Sequence, residues 1–332
     1  MTANLTAHRT APENSGAVRP VGRLRAPLVV GALALTLLTG CTATSGPDLS
    51  TTTPPATDPG PSPAEIVNPT VVGLVASFGN CDKSEGVVAR MVTSWSPAAV
   101  VTAGGNTQDA NDCTPFTQSV NDYYADYLDG PDGPRFFPAL DASDYDNPGA
   151  GLDAYQAAFP YLNTSADPSG RWYEQSLERL HFYVLDSQVK GKDLEQQKTW
   201  LKDALTAAGG AEAGAWDIVV VADPPFSSAS TKAPLTPDSG WDFKGWGADL
   251  VIGGHERIFE DVVVDDLHYV TAGVGAGAKG AVCPTTLVAG SEKCVDGPGA
   301  IRLLGTTDVL AVEYHQPKGS KSTIAHTITL QR

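Results

Sequence analysis

Two residues in the last third of the chain are of types that could do chemistry. His255 and Arg257 lie in Gly254-His255-Glu256-Arg257, directly after the apolar run Leu250–Ile252. An imidazole can bind a metal or move a proton, and a guanidinium can engage a carboxylate or phosphate through its planar fork. A single imidazole on a loop is more typical of an ordinary hydrogen-bonded residue, so the pattern alone does not predict a ligand.

Other catalytic arrangements have less support. Three serines share one loop (Ser227, Ser228 and Ser230), but no Gly-x-Ser-x-Gly turn occurs and His181 falls within a predicted strand. Asp141 and Asp144 could serve as an acid and base pair. In an acidic chain, two such residues more often belong to a solvated loop.

The elements that must position these residues alternate between strands and helices. Apolar, β-branched runs predict strands at 70–76, 99–102, 181–185, 218–222, 250–252, 269–272, 309–314 and 323–330, and amphipathic patterns predict helices at 85–94 and 194–208. Residues 107–122 and 142–170 are predicted as long surface loops, and the Gly-rich stretch 273–280 as a turn. The class is α/β with a layered sandwich architecture.

The N-terminus carries a lipoprotein signal. Arginines precede the apolar run 28–38, which ends in Leu38-Thr39-Gly40-Cys41 and is too short to span a bilayer comfortably. We therefore expect residues 1–40 to be a signal peptide and Cys41 to be lipidated, which would anchor the protein to the bacterial cell membrane on its extracytoplasmic side. Residues 41–65 are rich in Ser, Thr and Pro and predict a disordered tether, followed by a folded domain at 66–332.

The net charge bears on the class of partner, and the cysteines bear on the disulfides. The formal net charge of −16 argues against a nucleic-acid partner. Without Cys41, four cysteines remain in a compartment that permits disulfides, and three pairings are possible. Proximity in sequence favours Cys81 with Cys113 and Cys283 with Cys294.

Several segments, taken in order, resemble the calcineurin-like metallophosphoesterases, particularly the purple-acid-phosphatase-like branch. They run from Val71 to about Ala276: VVGLVASFGN, MVTSWSPAAVVTAGGN, VNDYYADYL, RFFPALDASDYDNPG, LHFYVLDSQ, QQKTWLKDAL, PPFSS, WGADLVIGGHERIFE and YVTAGVGA. The resemblance implies a four-layer αββα sandwich of two packed mixed β-sheets. It also implies two metal ions about 3.5–4 Å apart that polarise a phosphate and activate water.

The motifs that would hold the first of those ligands are changed. Where the family has Gly-Asp-x-Gly this chain has Ser77 in place of the Asp, and where it has Gly-Asp-Asn this chain has Gly105 before Asn106. Gly105 leaves no carboxylate to bridge two metals.

The remaining motifs are changed too. Gly-Asn-His-Asp has become Asp141-Ala142-Ser143-Asp144, His-His-Pro-Pro has become Ala222-Asp223-Pro224-Pro225, and Gly-His-x-His retains His255 but has Arg257 as its last residue. One imidazole cannot hold a dinuclear centre. We expect no cofactor, and we expect Arg257 either to pair with a carboxylate such as Asp223 or to form an anion site with His255.

The sequence therefore predicts a catalytically inactive pseudo-phosphatase that binds a small anion or a protein partner at the former active site. Two alternatives stay open. A phosphoesterase with a rebuilt metal site would draw its ligands from Asp82, Asp109, Asp144 and Asp223. A purely structural envelope lipoprotein would use none of them.

Overall fold

Thirteen strands and six α-helices make up the described part of the chain. The computed structural model describes residues 66–108, 114–146, 150–162, 166–211, 214–230, 233–277 and 281–332. The strands are β1 (Thr70–Val75), β2 (Ala99–Thr102), β3 (Phe136–Pro138), β4 (Tyr173–Leu177), β5 (Leu180–Val184), β6 (Trp216–Val221), β7 (Leu250–Gly253), β8 (Phe259–Val264), β9 (Leu267–Ala272), β10 (Ser291–Val295), β11 (Ala300–Gly305), β12 (Val309–Lys318) and β13 (Lys321–Gln331). The α-helices are α1 (Lys83–Ser94), α2 (Asp122–Leu128), α3 (Ala142–Asp146), α4 (Leu152–Ala158), α5 (Lys192–Ala211) and α6 (Phe243–Trp246).

The strands form two mixed sheets. The first has the order β13-β12-β11-β1-β2-β3, and the second has the order β10-β8-β9-β7-β6-β5-β4. In the first sheet β1, β2 and β3 are parallel, and in the second β5, β6, β7 and β9 are parallel. The parallel strands of each sheet end at one edge, where loops of both sheets can meet.

Alternating side chains show why the layers stack. On β6, Ile218 and Val220 belong to the core between the sheets, whereas Val219 and Val221 pack with Leu201 of α5 on the outer face. On the other side of the molecule α1 packs against β1, β11 and β12. The expected αββα sandwich is confirmed, because sheets buried on both faces need helices outside them.

The two predicted surface loops are wrong in part. A short π-helical segment (Thr117–Asn121), α2, α3, α4 and a 3-10 helix (Pro160–Leu162) fall within or next to them. Aromatic side chains explain the error, because Phe116, Tyr155 and Phe159 are buried together in the core. Many Asp, Asn, Gly and Pro residues surround these aromatic residues, so the sequence shows no clear helical period.

One predicted disulfide is present within the described residues. Cys283 and Cys294 are bonded, with their Cα atoms 6.0 Å apart. Cys81 is also disulfide-bonded, but Cys113 lies outside the described residues. A structural disulfide indicates an oxidising, extracytoplasmic environment.

The N-terminal predictions fall outside what the structure describes. The signal peptide at 1–40, Cys41 and the tether at 41–65 precede the first described residue, Ile66. The described residues all belong to one compact unit, Thr57–Arg332. Within the described ranges, no helix has the length and apolar character needed to cross a membrane.

The contact between the two sheets can be tested at Phe259. This β8 side chain is fully buried and stacks on Tyr314 of β12 with ring centroids 4.4 Å apart. We expect Phe259→Ala to lower the free energy of unfolding by about 3–5 kcal/mol, because it removes a large buried ring and leaves a cavity. Urea denaturation measures this change.

Ile324→Ala is the matched control, since Ile324 lies on edge strand β13 and is 48% exposed. Its effect should stay within about 0.5–1 kcal/mol. Equal losses for the two variants would show that the sheets do not depend on this stacked pair.

Candidate functional site

The loops that follow the parallel strands of both sheets meet at one place. The Ser77 amide after β1 donates to the carbonyl of Gly104 after β2, at 3.0 Å. The Ser77 hydroxyl donates to the carbonyl of His255 after β7, at 3.4 Å. Gly254 in turn donates its amide to Ala222 after β6, at 2.8 Å. The structure therefore brings four of the degenerate motifs together.

Backbone fills the space where the family would place a bridging carboxylate. Gly105 has φ +70°, and a Cβ added to it would lie 2.6 Å from the Cα of Ser77. Nearby, a Cβ on Gly79 would lie 1.8 Å from the carbonyl oxygen of Asn106. Real Cβ atoms do not approach so closely, so an Asp cannot be restored at Gly105 without moving the loop after β1.

Asn106 and Asp144 form a buried polar network beneath these loops. The carboxylate of Asp144 accepts from the Asn106 side chain at 2.7 Å, the Thr107 amide at 2.9 Å and the Asp141 amide at 3.0 Å. The Thr107 hydroxyl also donates to it, at 3.1 Å. Burial, together with the charge of Asp141, raises the pKa of Asp144, but four donors favour its ionised form.

Asp141 lies beside this network, and its side chain faces His255. Its side chain is 1% exposed, and Oδ1 accepts from the amide and the hydroxyl of Ser143 at 2.8 and 2.6 Å. Its Oδ2 lies 3.8 Å from Nδ1 of His255. The prediction of a solvated loop for Asp141 and Asp144 is wrong, because both carboxylates are buried and hold the start of α3 in place.

His255 carries a positive charge between two carboxylates. The same Nδ1 atom that faces Asp141 lies 4.0 Å from Oδ1 of Asp223, and the His255 side chain is 47% exposed. Its interaction with Asp141 and the charge of Asp223 raise the pKa of His255 to about 9, although partial burial opposes the shift. The imidazole retained from the family motif therefore lies between two carboxylates that favour its protonated form.

Arg257 does not pair with Asp223, and the expected ion pair is therefore wrong. Its Nη1 donates to the Gln108 side chain at 2.9 Å, and its Nη2 donates to the carbonyls of Ala276 and Gly277 at 3.0 and 3.1 Å. The guanidinium thus joins the loop after β7 to the loops after β2 and β9. Asp223 instead accepts from Nε2 of Gln188 at 2.8 Å.

The residues present do not fit a dinuclear metal centre. Asp82 is committed to capping α1, where it accepts from the amides of Ser84 and Glu85, and Asp144 is committed to its four donors. Asp109 lies outside the described residues. Among the residues that the structure does describe, no three His, Cys, Asp or Glu side chains are grouped so that they could hold a metal ion.

A polar cleft of about 750 Å³ opens beside the imidazolium. It is lined by Ser187, Gln188, Lys190, Asp223, Ala229, Ser230, Ala233, Pro234, His255 and Glu256. A smaller cavity of about 350 Å³ adjoins it through Gln188 and Lys190, and Ala142 lies on its wall.

Two polar residues were not identified from the sequence, Gln188 on the wall of this cleft and the fully buried Asp186 two positions before it. Asp186 and Gln188 follow β5 in the segment LHFYVLDSQ, which was recognised only as part of the resemblance. Asp186 accepts from the Tyr145 hydroxyl at 2.6 Å, and burial raises its pKa to about 6. A polar run directly after a buried strand was the signal that could have identified them.

Comparison with known proteins supports the architecture. No protein-family model matches the sequence, and no curated protein matches it significantly. The purple acid phosphatase PPD1 from yellow lupin (Lupinus luteus) seeds has a similar structure, with a TM-score of 0.60 and 13% identity over 79% of this chain and 54% of that one. The chain thus spans about half the length of the lupin protein.

A second solved structure is similar over most of both chains. GAP50, described as the anchor in the inner membrane complex of Plasmodium, has a TM-score of 0.57 and 16% identity, over 79% of this chain and 88% of that one. At such identities the likeness shows the fold alone. This chain has two mixed sheets with helices outside them, and it shares this architecture with both solved structures. It therefore has the calcineurin-like metallophosphoesterase fold.

Proposed function

We propose that this protein is a cell-envelope lipoprotein whose metallophosphoesterase-like domain is a pseudo-phosphatase that serves as a binding or scaffolding module. The observation that carries the proposal is the position of His255, which lies as an imidazolium 3.8 Å from Asp141 and 4.0 Å from Asp223. A protein cation takes the role that metal ions have in an active relative, namely to offset carboxylate charge in the cleft.

Electrostatics and space both oppose hydrolysis by the family mechanism. A divalent ion that bound between Asp141 and Asp223 would have to displace the ring of His255, whose Nδ1 lies 3.8 and 4.0 Å from their carboxylates. No bridging carboxylate can stand at Gly105, because the backbone of Ser77 occupies the space that its side chain needs. Without metals the cleft has no Lewis acid for phosphate and no activated water.

Different observations argue against the two alternatives, a rebuilt metal site and a purely structural lipoprotein. A rebuilt metal site needs Asp82 and Asp144 as ligands, yet one caps a helix and the other is enclosed by donors. A purely structural lipoprotein needs no cleft, whereas this domain keeps one of about 750 Å³ lined by polar side chains. A protein of the same fold that is described as a membrane-complex anchor also favours a binding role.

Display at the envelope rests on the N-terminal sequence. The lipobox ending in Cys41 would attach the chain to the membrane, and the 41–65 segment would separate the domain from the lipid surface. The Cys283–Cys294 disulfide is consistent with that compartment.

Metal content and hydrolysis test the proposal directly. We expect the purified, tag-free protein to contain less than stoichiometric transition metal and to leave p-nitrophenyl phosphate uncleaved after incubation with Mn²⁺, Fe²⁺ or Zn²⁺. Two equivalents of bound metal with metal-dependent cleavage would overturn the pseudo-phosphatase proposal. Absence of palmitate on Cys41 after metabolic labelling would overturn the lipid anchor alone.

The charge on His255 predicts a pH dependence. A folded pKa of about 9, above the ordinary value of 6.5, means that its stabilising charge is fully present below about pH 6.5 and is lost as pH rises through 9. We expect His255→Gln to be less stable than the wild type at pH 6, by roughly 1 kcal/mol for a partly exposed pair. The difference should disappear at pH 10.

Comparison of the two proteins at each pH removes the contribution of other titrating groups. Glu85 and Asp186 also have raised pKa values, of about 8 and about 6, and they remain in the variant. An NMR titration of the His255 ring should show a midpoint near 9. A midpoint close to 6.5 would show that the two carboxylates do not hold the proton.

The close packing at Gly105 predicts that even a methyl group is harmful there. Gly105→Ala should lower the free energy of unfolding by about 1–3 kcal/mol more than Gly191→Ala, because overpacking adds to the left-handed backbone cost that both share. Gly191 is the matched control, with φ +59° and no atom within 4 Å of an added Cβ. Equal losses in chemical denaturation would indicate that the loops have room for a side chain.

A further inference from the structure

An uncharged loop beside the cleft exposes aliphatic side chains to solvent. Residues 281–291 contain no Asp, Glu, Lys, Arg or His, although 18% of the whole chain is charged. Val282, Leu287 and Val288 are 67%, 41% and 39% exposed, and they account for three of the five large exposed aliphatic side chains in the described residues. Such a concentration on one loop is typical of a contact surface.

The uncharged loop, residues 281–291, is held firmly in shape. The Cys283–Cys294 disulfide closes it, and the Cys283 amide donates to Asp296 at 2.6 Å. The Ser291 hydroxyl donates to the buried carboxylate of Glu260 at 2.7 Å. Because the loop is preorganised, a partner that binds it would not have to order it, which lowers the entropic cost of association.

The uncharged loop is continuous with the cleft. The Val288 amide donates to Oγ of Ser228 at 2.8 Å, and the next residues, Ala229 and Ser230, line the cleft. Glu260 binds this segment from below, through the Ser228 amide at 2.6 Å. An occupant of the cleft that extends past Ser228 can therefore reach Val288 and its neighbour Leu287.

The cleft carries slightly more negative than positive charge. Its negative groups are Asp223, Glu256 and the buried Asp141, and its positive groups are His255 and Lys190. The charge of His255 is held by the carboxylates on both sides of it, and Arg257 is directed towards Gln108 and two carbonyls. Asp223 and Glu256 thus favour a ligand that carries a positive group.

We propose that the uncharged loop and the cleft together form one docking surface for an extracytoplasmic protein segment that carries a Lys or Arg next to aliphatic side chains. The aliphatic side chains would cover Val282, Leu287 and Val288, and the basic group would enter the cleft beside Asp223 and Glu256. This inference rests on the binding role proposed above and names the chemistry of the partner.

Other occupants match this surface less well. A lipid bilayer could accept the aliphatic side chains, but it would leave the carboxylates of the neighbouring cleft without a complementary charge. An anionic bilayer would also be repelled by a chain of formal net charge −16. A second copy of the chain would bring the same acidic cleft and the same excess of negative charge.

Selection from a random dodecapeptide library displayed on phage tests the proposal, with the full-length chain in detergent as bait. We expect the enriched peptides to share a Lys or Arg beside aliphatic residues. Their synthetic forms should bind at least about tenfold more weakly to Asp223→Asn and to the double variant Leu287→Ser, Val288→Ser, as expected for contacts at the centre of an interface. Fluorescence anisotropy measures the affinities.

Two control variants distinguish this surface from general charge or hydrophobicity. Asp132→Asn removes an exposed carboxylate elsewhere, and Val67→Ser removes a valine that is 75% exposed. Neither should change peptide affinity. Failure to enrich basic, aliphatic peptides, or equal binding to all variants, would overturn the docking surface.

Two further measurements assign the loop to another occupant if the proposal is wrong. Binding of the non-lipidated Cys41→Ser chain to neutral phosphatidylcholine vesicles, lost in Leu287→Ser, would assign the loop to lipid. Dimerisation in analytical ultracentrifugation that disappears in the same variant would assign it to self-association. Either result overturns the protein-segment proposal but leaves the pseudo-phosphatase proposal standing, because metal content and hydrolysis decide the latter separately.

Discussion

The interaction of His255 with Asp141 and Asp223 links loops of both sheets at the candidate site. Asp141 is buried at the start of α3, Asp223 follows β6 and His255 follows β7, so three loops from both sheets converge on one charge. Carboxylates gathered in a partly buried cleft repel one another and are costly to desolvate. A protonated imidazole between them offsets that cost without any exchangeable ion.

The neighbouring loops are adapted to the same arrangement. Gly104 and Gly105 adopt positive φ and let the loop after β2 lie directly against Ser77, so backbone amides and carbonyls replace ligand bonds as the connections between strands. Asp144 anchors that loop from below through Asn106 and Thr107. Arg257 completes the connection on the other side through Gln108 and the Gly-rich loop after β9. Together these contacts connect the loops after β1, β2, β7 and β9 through protein atoms.

Much of the fold could be predicted from the sequence, because β1, β2, β6 and β7 are continuous apolar runs and α5 has a clear helical period. The short strands β3 and β10 and the helices between residues 117 and 162 could not, since they depend on burial against distant residues. At the site, the order of motifs identified which residues meet. Sequence could not give the direction of a side chain, which is why Arg257 was expected to face Asp223 and Asp141 was expected to be solvated.

The proposed replacement of metal ions by an imidazolium would also change what the cleft can attract. A dinuclear centre presents excess positive charge to the solvent and so draws phosphate towards it. Here the single charge of His255 is shared between Asp141 and Asp223, while Glu256 adds a carboxylate at the rim of the cleft. Under the pseudo-phosphatase proposal the cleft would therefore attract a cationic group rather than a phosphate, although the fold is kept. In the proposed docking surface, the exposed aliphatic side chains of the uncharged loop would add an apolar contact next to this cleft, which a peptide can use and which neither a phosphate ester nor a free anion would need.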